Sequence, residues 1–540
     1  MNERQALRPQ APLEPVLDVN DIQGIAVPGF FKPYQTLLYL TVPADSRETV
    51  DHFKTWIGNF AKQVSSAEKT LQDRRNHRQK RALPASKPAD EAAILFAIAF
   101  SAIGLRKLTP GASDIPSPAF QHGLVARSAL LGDPTDPTVP GHPSTWTVGA
   151  PGAEIDSLIV VAGNDRDPVS EHAAKLSAEL RETGVKVDTE DGSVRSDLPG
   201  HEHFGFDDGV SQPGIRGRAS ADPHNFVTER HVAPGEIPET WLYGYPGQDL
   251  VWPGEFVLGY ATTSPDPLIP GPPSEAKPSW TRNGSFLVYR RLLQDVGLFW
   301  RTMRDEALRL AALPGFAALD DERLASLLVG RWPSGAPLLR VPMKDNPGLG
   351  AEPLANNYFQ FDSDTASLEL TTPVENYPLA KADPIGLTCP LAAHIRKVNT
   401  RDAPSDMGGR SATYERRILR VGVPFGPPLP EAQKYATLTE DPVHGKRGLL
   451  FLGIQSSIED QFEFLQARWI NDEARPKAPG GNDMVVGQNT PARGGIRRCS
   501  LFGSGLAQAE VRVAGQFVVP SGGGYFFVPS LTALRDVLAK

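Results

Sequence analysis

The sequence predicts an α+β fold. Short apolar runs rich in β-branched residues alternate with stretches at helical spacing. The glycine signatures of nucleotide-binding α/β folds, G-x-G-x-x-G and G-x-x-x-x-G-K, are both missing. Fifty-one prolines and fifty glycines in 540 residues cluster between the runs, which predicts long loops around a compact scaffold. No short-period repeat points to a solenoid or propeller.

In chain order, TLLYLTVPA (36–44) reads as a strand bounded by turn formers. SRETVDHFKTWIGNFAKQV (46–64) reads as a helix with a Ser cap and an acid in its first turn. DSLIVVAGN (156–164) and GSFLVYRRL (284–292) are further strands. Leu292, Val296, Trp300, Met303 and Ala307 then keep the three-to-four spacing of one helical face. RGLLFLGIQ (447–455) and GGYFFVPSL (523–531) are strands, and between them SIEDQFEFLQARWIND (457–472) is a second Ser-capped helix. LTALRDVLAK closes the chain as a terminal helix. The expected division is a first half over 1–245 and a second over 246–540, with a loop and helical insertion over about 261–350.

A hydrophobic content of 40% with 22% charged residues is that of a globular chain with a sizeable core. The net charge of -8 argues against a general nucleic-acid binder. Two cysteines, Cys389 and Cys499, exclude a disulfide framework and a four-cysteine zinc site within the chain. No apolar stretch approaches the roughly 20 residues of a membrane span, and MNERQALRPQAPLEP is unlike a secretory signal. The expectation is a cytoplasmic protein that binds neither nucleic acid nor membrane, with a homodimer as the base-rate assembly.

Three stretches carry the chemistry. The first, HEHFGFDDGVSQPGI (201–215), sets two histidines and three acids among glycines. His201 and His203 could ligate a metal, as in a metal-dependent hydrolase, but H-E-x-x-H is absent and no second ligand group follows at zinc-like spacing. The second, DPIGLTCPLAAHIRKVNTRD (383–402), is apolar before His394 and cationic after it. Leu387, Leu391, Ala392, Ala393 and Ile395 would line a dry pocket, with Arg396, Lys397 and Arg401 meeting a doubly anionic ligand at its edge. That is the composition of a haem site, and equally of a satisfied core histidine. Cys389 is a rival ligand, read here as packing. The third, ERRILRVGVPFGPP (415–428), places Arg420 directly before a Pro-Gly turn, with Arg416 and Arg417 as a basic face.

Together, FGFDDGVSQPGI, CPLAAHIRKVNTRD and ILRVGVPFG resemble the dye-decolorizing peroxidases, whose G-x-x-D-G motif is here Gly205-Phe206-Asp207-Asp208-Gly209. DIQG (21–24), IGLRKL (103–108), LIVVAG (158–163), QFEFLQARW (461–469) and YFFVPS (525–530) extend the match along the chain, whose length is similar to that of the longer bacterial branch. The resemblance implies two ferredoxin-like halves of the dimeric α+β barrel type, with haem b (iron protoporphyrin IX) held mainly by the second. It implies a peroxidase that reduces hydrogen peroxide to water and oxidises dyes, phenols or lignin-like donors by one-electron steps. A non-catalytic haem carrier or sensor on the same fold is the alternative.

By motif, His394 matches the proximal iron ligand, Asp208 the distal acid and Arg420 the distal arginine. Gly205, Phe206 and Gly209 are expected to bring backbone close to the cofactor, with Arg396, Arg401 and Phe527 also near it. Glu459, at the start of the 457–472 helix, is the expected acceptor for the second nitrogen of His394. Trp332, Tyr358 and Tyr414 are oxidisable side chains whose default role is packing.

Overall fold

The structure, a computed structural model, describes residues 13–43, 46–81, 93–437, 440–441, 444–488 and 495–540. Nine strands form its main sheet: β1 (Tyr34–Thr41), β2 (Leu95–Phe100), β3 (Ser157–Gly163), β4 (Lys186–Ser193), β5 (Ser285–Gln294), β6 (Leu419–Arg420), β7 (Val423–Phe425), β8 (Gly448–Gln455) and β9 (Val518–Val528). Their order is β6-β8-β5-β9-β2-β3-β1-β4, with β7 also on β8 and all pairs antiparallel.

Each half of this order is the ferredoxin-like one. β4-β1-β3-β2 comes from the first half of the chain and β9-β5-β8-β6/β7 from the second. The halves join where Phe527 of β9 pairs with Phe100 of β2. At the far ends the sheet curls back without a ladder among the described residues: a Cβ on Gly192 of β4 would lie 2.3 Å from Val423 Cγ1 of β7.

The central strands are buried on both faces, so they read as continuous apolar runs. Leu37 and Tyr39 of β1 pack into the barrel-like interior with Leu158 and Val160 of β3 and Leu287 and Tyr289 of β5. Leu38 and Leu40 point outward beneath the helices. One of these is α1 (Arg47–Phe60), capped by Ser46 Oγ accepting from Thr49 N–H at 3.2 Å. It buries Phe53, Trp56, Ile57 and Phe60, spaced as one face.

Three further helices position the site. α2 (Val296–Ala311) is capped by Asp295 and starts four residues later than the spacing suggested, because Leu292 belongs to β5. α3 (Asp321–Val329) ends on Gly330 at φ +98°, where a Cβ would meet Ile395 Cγ1 at 2.4 Å. Only glycine lets that helix end sit directly on α4 (His394–Val398). The stretch expected as one helix over 457–472 is two segments, Ile458–Glu463 and Leu465–Ile470, wound with wide π-type turns. No helix among the described residues is long and apolar enough to cross a membrane.

Candidate active site

The FGFDDG loop is held in shape by Glu202. Its carboxylate accepts from the N–H groups of Phe204 (2.8 Å) and Phe206 (2.9 Å) and from Gln294 Nε2 (2.5 Å). Burial lifts this carboxyl to about 7, against those three donors. The two rings lock onto α2: Phe204 stacks on Phe299 at 4.4 Å, Phe206 lies parallel to Trp300 at 6.4 Å, and the Trp300 indole donates to Phe204 O. Gly205 and Gly209 both take left-handed backbone, at φ +99° and +92°. Between them Asp207 N–H donates to Pro333 O and Asp208 N–H to Gly200 O, both at 3.0 Å, so the two acids project in a defined way.

Asp208 turns into a cavity and meets Arg420, whose Nη1 donates to Asp208 Oδ1 at 2.7 Å. Arg420 ends the two-residue strand β6, and Gln212 clamps its peptide by accepting from Arg420 N–H (3.2 Å) and donating to Arg420 O (2.7 Å). Burial works to raise the Asp208 carboxyl, but the Arg420 guanidinium, the Gly209 N–H and His394 hold it below the usual carboxylate range. Asp207 borders the same cavity, with its carboxylate beside Gly335, and burial lifts it to about 6.

His394 lines the same cavity from the start of α4. Its Nδ1 lies 2.7 Å from Asp483 Oδ2, whose side chain is fully buried. Asp483 Oδ1 accepts from Val485 N–H (2.9 Å) and Val486 N–H (3.0 Å). Burial opposes the Asp483 charge, but His394 and these N–H groups outweigh it and keep the carboxyl below its usual range. An ionised Asp483 can only accept, so His394 donates Nδ1–H and leaves Nε2 as a lone-pair donor. The walls between the two pairs are apolar, among them Leu292, Val329, Ile395, Phe451, Phe462 and Val485.

An apolar slot with a carboxylate-backed imidazole on one wall and an acid–guanidinium pair on another has the donor set of a haem pocket. Comparison with known proteins points the same way. Residues 21–196 match the family model described as the DyP dimeric alpha+beta barrel domain. A dye-decolorizing peroxidase of Mycetinis scorodonius is 30% identical over 448 residues, covering 82% of this chain and 76% of that protein. The chain belongs to the dye-decolorizing peroxidases.

Among solved structures, an ancestral D-type dye-decolorizing peroxidase superposes with a TM-score of 0.74 at 30% identity, over 98% of this chain and 100% of the other. A dye-decolorizing peroxidase in complex with 2,6-dimethoxyphenol gives 0.70 at 27% identity, over 97% of this chain and 100% of the other. As a member of this family the protein is a haem-dependent peroxidase, and its cofactor is haem b.

Among the residues expected at this peroxidase site, His394, Asp208, Arg420, Phe206 and Gly209 do line one cavity. Others lie elsewhere. Glu459 is not the partner of His394: its carboxylate accepts from Ser117 Oγ (3.0 Å) and Ala119 N–H (2.7 Å) at a helix start, and Asp483 takes the histidine. Arg396 turns inward to Asp383 and Cys389 O, and Arg401 to Asn357 and Phe359 O; both are buried away from the cavity. Phe527 packs edge-on against Trp280 and Phe286 on the outer side of the sheet. Gly205 shapes the loop without lining the cavity. Of the five apolar residues expected to wall the pocket around His394, Ile395 alone does so, joined by Val398; Leu387 is 41% exposed.

Besides Arg420, the arginines that reach the cavity are Arg290, Arg331, Arg416 and Arg417. Arg417 is no solvated face: it is buried against Asp249 and Ser211 O. Burial pushes the Cys389 thiol up to about 12, so it packs as a neutral hydrophobe. Burial likewise lowers His203 to about 4; its Nε2 meets Phe425 O at 2.8 Å, and His201 Nδ1 is 3.1 Å from Pro199 O. Among the described residues no cluster of three metal-ligating groups exists. Trp332, Tyr358 and Tyr414 are all buried, each with its polar atom satisfied.

Asp483 escaped sequence reasoning altogether. Its only signal is an acid in a Gly-Gly-Asn turn directly before the apolar run MVV.

Proposed function

We propose that His394 Nε2 would hold the haem iron, and that Asp208 and Arg420, lining the same cavity, act on hydrogen peroxide. The reading rests on one observation: His394, backed by the buried Asp483, and the Asp208–Arg420 pair face a single, largely apolar cavity, with their geometry set by hydrogen bonds. Haem b, when bound, supplies an iron that accepts peroxide oxygen and holds two oxidising equivalents for later one-electron steps. The chain's own residues manage the protons.

Asp208, held ionised by Arg420, would take a proton from hydrogen peroxide and return it to the departing oxygen, which leaves as water. Arg420 presents a fixed cation to the charge that develops there, with no reorganisation at the moment of reaction. Two aromatic donors, each losing one electron and one proton, complete the balance: one peroxide and two donors give two waters and two donor radicals. A haem carrier or sensor has no need of such an acid–cation pair. Rapid mixing of the haem-loaded protein with peroxide tests the reading, because a peroxidase changes its absorption spectrum at a rate proportional to peroxide. A spectrum that stays unchanged for seconds at millimolar peroxide overturns it.

The buried Asp483 carboxylate should matter for how firmly the iron is held. Asp483→Asn removes the charge opposite His394 Nδ1–H, and partners of ligating histidines are typically worth 10–100-fold in metal affinity or activity. Haem transfer from the variant to an apoglobin acceptor is expected to accelerate by about that factor. Transfer at the wild-type rate would count against Asp483 as the supporting acceptor.

A further inference from the structure

A second cavity, of about 860 Å³, lies against the first. Glu202, Asp208, Gly209 and Arg420 line both, so the acid–guanidinium pair stands at their junction. The outer half of this vestibule is built by helix Ala67–Arg81, by Phe31 and Lys32, and by Tyr245.

Its charges do not cancel. Lys32 pairs with Asp73 at 2.6 Å, and Arg78 pairs with Glu229. Among the described residues, Arg75 donates to a neutral amide, Asn225 Oδ1, at 2.5 Å and has no carboxylate partner. Arg74 lies over the Phe31 ring at 4.9 Å and has no carboxylate ion pair among the described residues. Two guanidinium charges are thus left over on the wall of a partly enclosed space, on a chain whose net charge is -8. Burial and the neighbouring Arg78 bring Arg74 down to about 10, so it stays charged at neutral pH. A half-buried cation without an ion pair is unfavourable, and an anion entering the vestibule would supply the missing charge.

The remaining wall is aromatic. Phe31, 45% exposed, lines the cavity with Phe226 and Tyr245. At the deep end Asp208 already pairs with Arg420, so a negative group finds no unpaired cation there and the ring is the part directed inward. We propose that this vestibule docks anionic aromatic donors, arene carboxylates or arene sulfonates, with the acid group on Arg74 and Arg75 and the ring directed toward the Asp208–Arg420 pair. This deepens the peroxidase reading by naming the donor class and its docking site.

The test uses the holoenzyme and probes that it cannot readily oxidise. Calorimetric titration with benzenesulfonate and with benzoate should show binding that weakens as salt is raised, while benzyl alcohol binds far more weakly. Arg74→Gln should loosen both anions about tenfold, with Arg74→Lys recovering part of the loss. The ratio of kcat/KM for 4-hydroxybenzenesulfonate over phenol should fall by a similar factor in Arg74→Gln. Binding of only one of the two anions supports the site and names its head group. Equal affinity for benzenesulfonate in wild type and Arg74→Gln, or no binding of either anion, overturns the proposal. The titrations need no turnover, so a protein that binds the anions yet ignores peroxide would sink the peroxidase reading and support the docking site.

Discussion

His394→Ala protein is expected to lose its Soret band, or to retain a displaced and weakened one. The substitution removes the only histidine among the cavity-lining residues. It also strips Asp483 Oδ2 of its hydrogen-bond partner in a fully buried position, at a cost of about 1–3 kcal/mol for an unsatisfied buried acceptor. Part of any effect could therefore be lost stability, and two measurements separate the causes. Far-ultraviolet circular dichroism reports whether the fold survives. Added imidazole, which can enter the space left by the side chain and accept the same role, should restore much of the band in a folded variant. An unchanged Soret band in His394→Ala would remove the axial assignment outright, because Cys389, the other ligand weighed, is a buried neutral thiol outside the cavity.

Where the sequence spoke clearly, it was because both faces of a strand are buried. SLIVVAG and GLLFLGIQ carry apolar residues almost throughout, and they form β3 and β8. β4, KVDTEDGS, shows no such signature, since most of its side chains face solvent at a sheet edge. It was missed for that reason. β2, LFAIAF, was missed for the opposite one: it runs straight into a Ser-capped apolar helix, SAIGLRKL, and the two periods blur.

The site divides in a similar way. Asp208 and Arg420 stand 212 positions apart, and neither composition nor periodicity joins them; only the shared motifs did. Arg396 and Arg401 follow His394 closely and looked like the ligand's edge. Arg396 lies within the five-residue α4 and Arg401 follows it at φ +54°, and both guanidiniums turn inward, to Asp383 and Asn357. Glu459 was attractive as an acid in the first turn of a helix. That same position suits it to another task, accepting from Ser117 and Ala119 at the start of the helix Pro118–Arg127. A lone Asp in a glycine turn, Asp483, does the work assigned to it. Local sequence announces charge and helix ends, but which charged group meets which is a property of the packed chain.

Asp208→Asn and Arg420→Leu should both keep haem, since neither touches His394 or Asp483, and both should slow the reaction with peroxide. Loss of a positioned proton carrier typically costs 10²–10⁴-fold, and loss of a fixed charge opposite the developing anion about 10²–10³-fold. Their pH profiles should differ. In the wild type the Asp208 carboxyl lies below its usual range, so it remains a base through mildly acidic solution and the rate falls only as pH drops through that lowered value. Arg420→Leu removes the main opposition to burial, the carboxyl rises, and the acid limb of the rate profile moves to higher pH. Asp208→Asn has no carboxyl to titrate there, so that limb should disappear from a profile already set low. Stopped-flow rates between about pH 2 and 6, about two units either side of an ordinary Asp carboxyl, distinguish the three proteins. An acid limb at the same pH in wild type and Arg420→Leu would mean that the 2.7 Å contact does not govern the Asp208 proton. Loss of haem from either variant would make the pair structural.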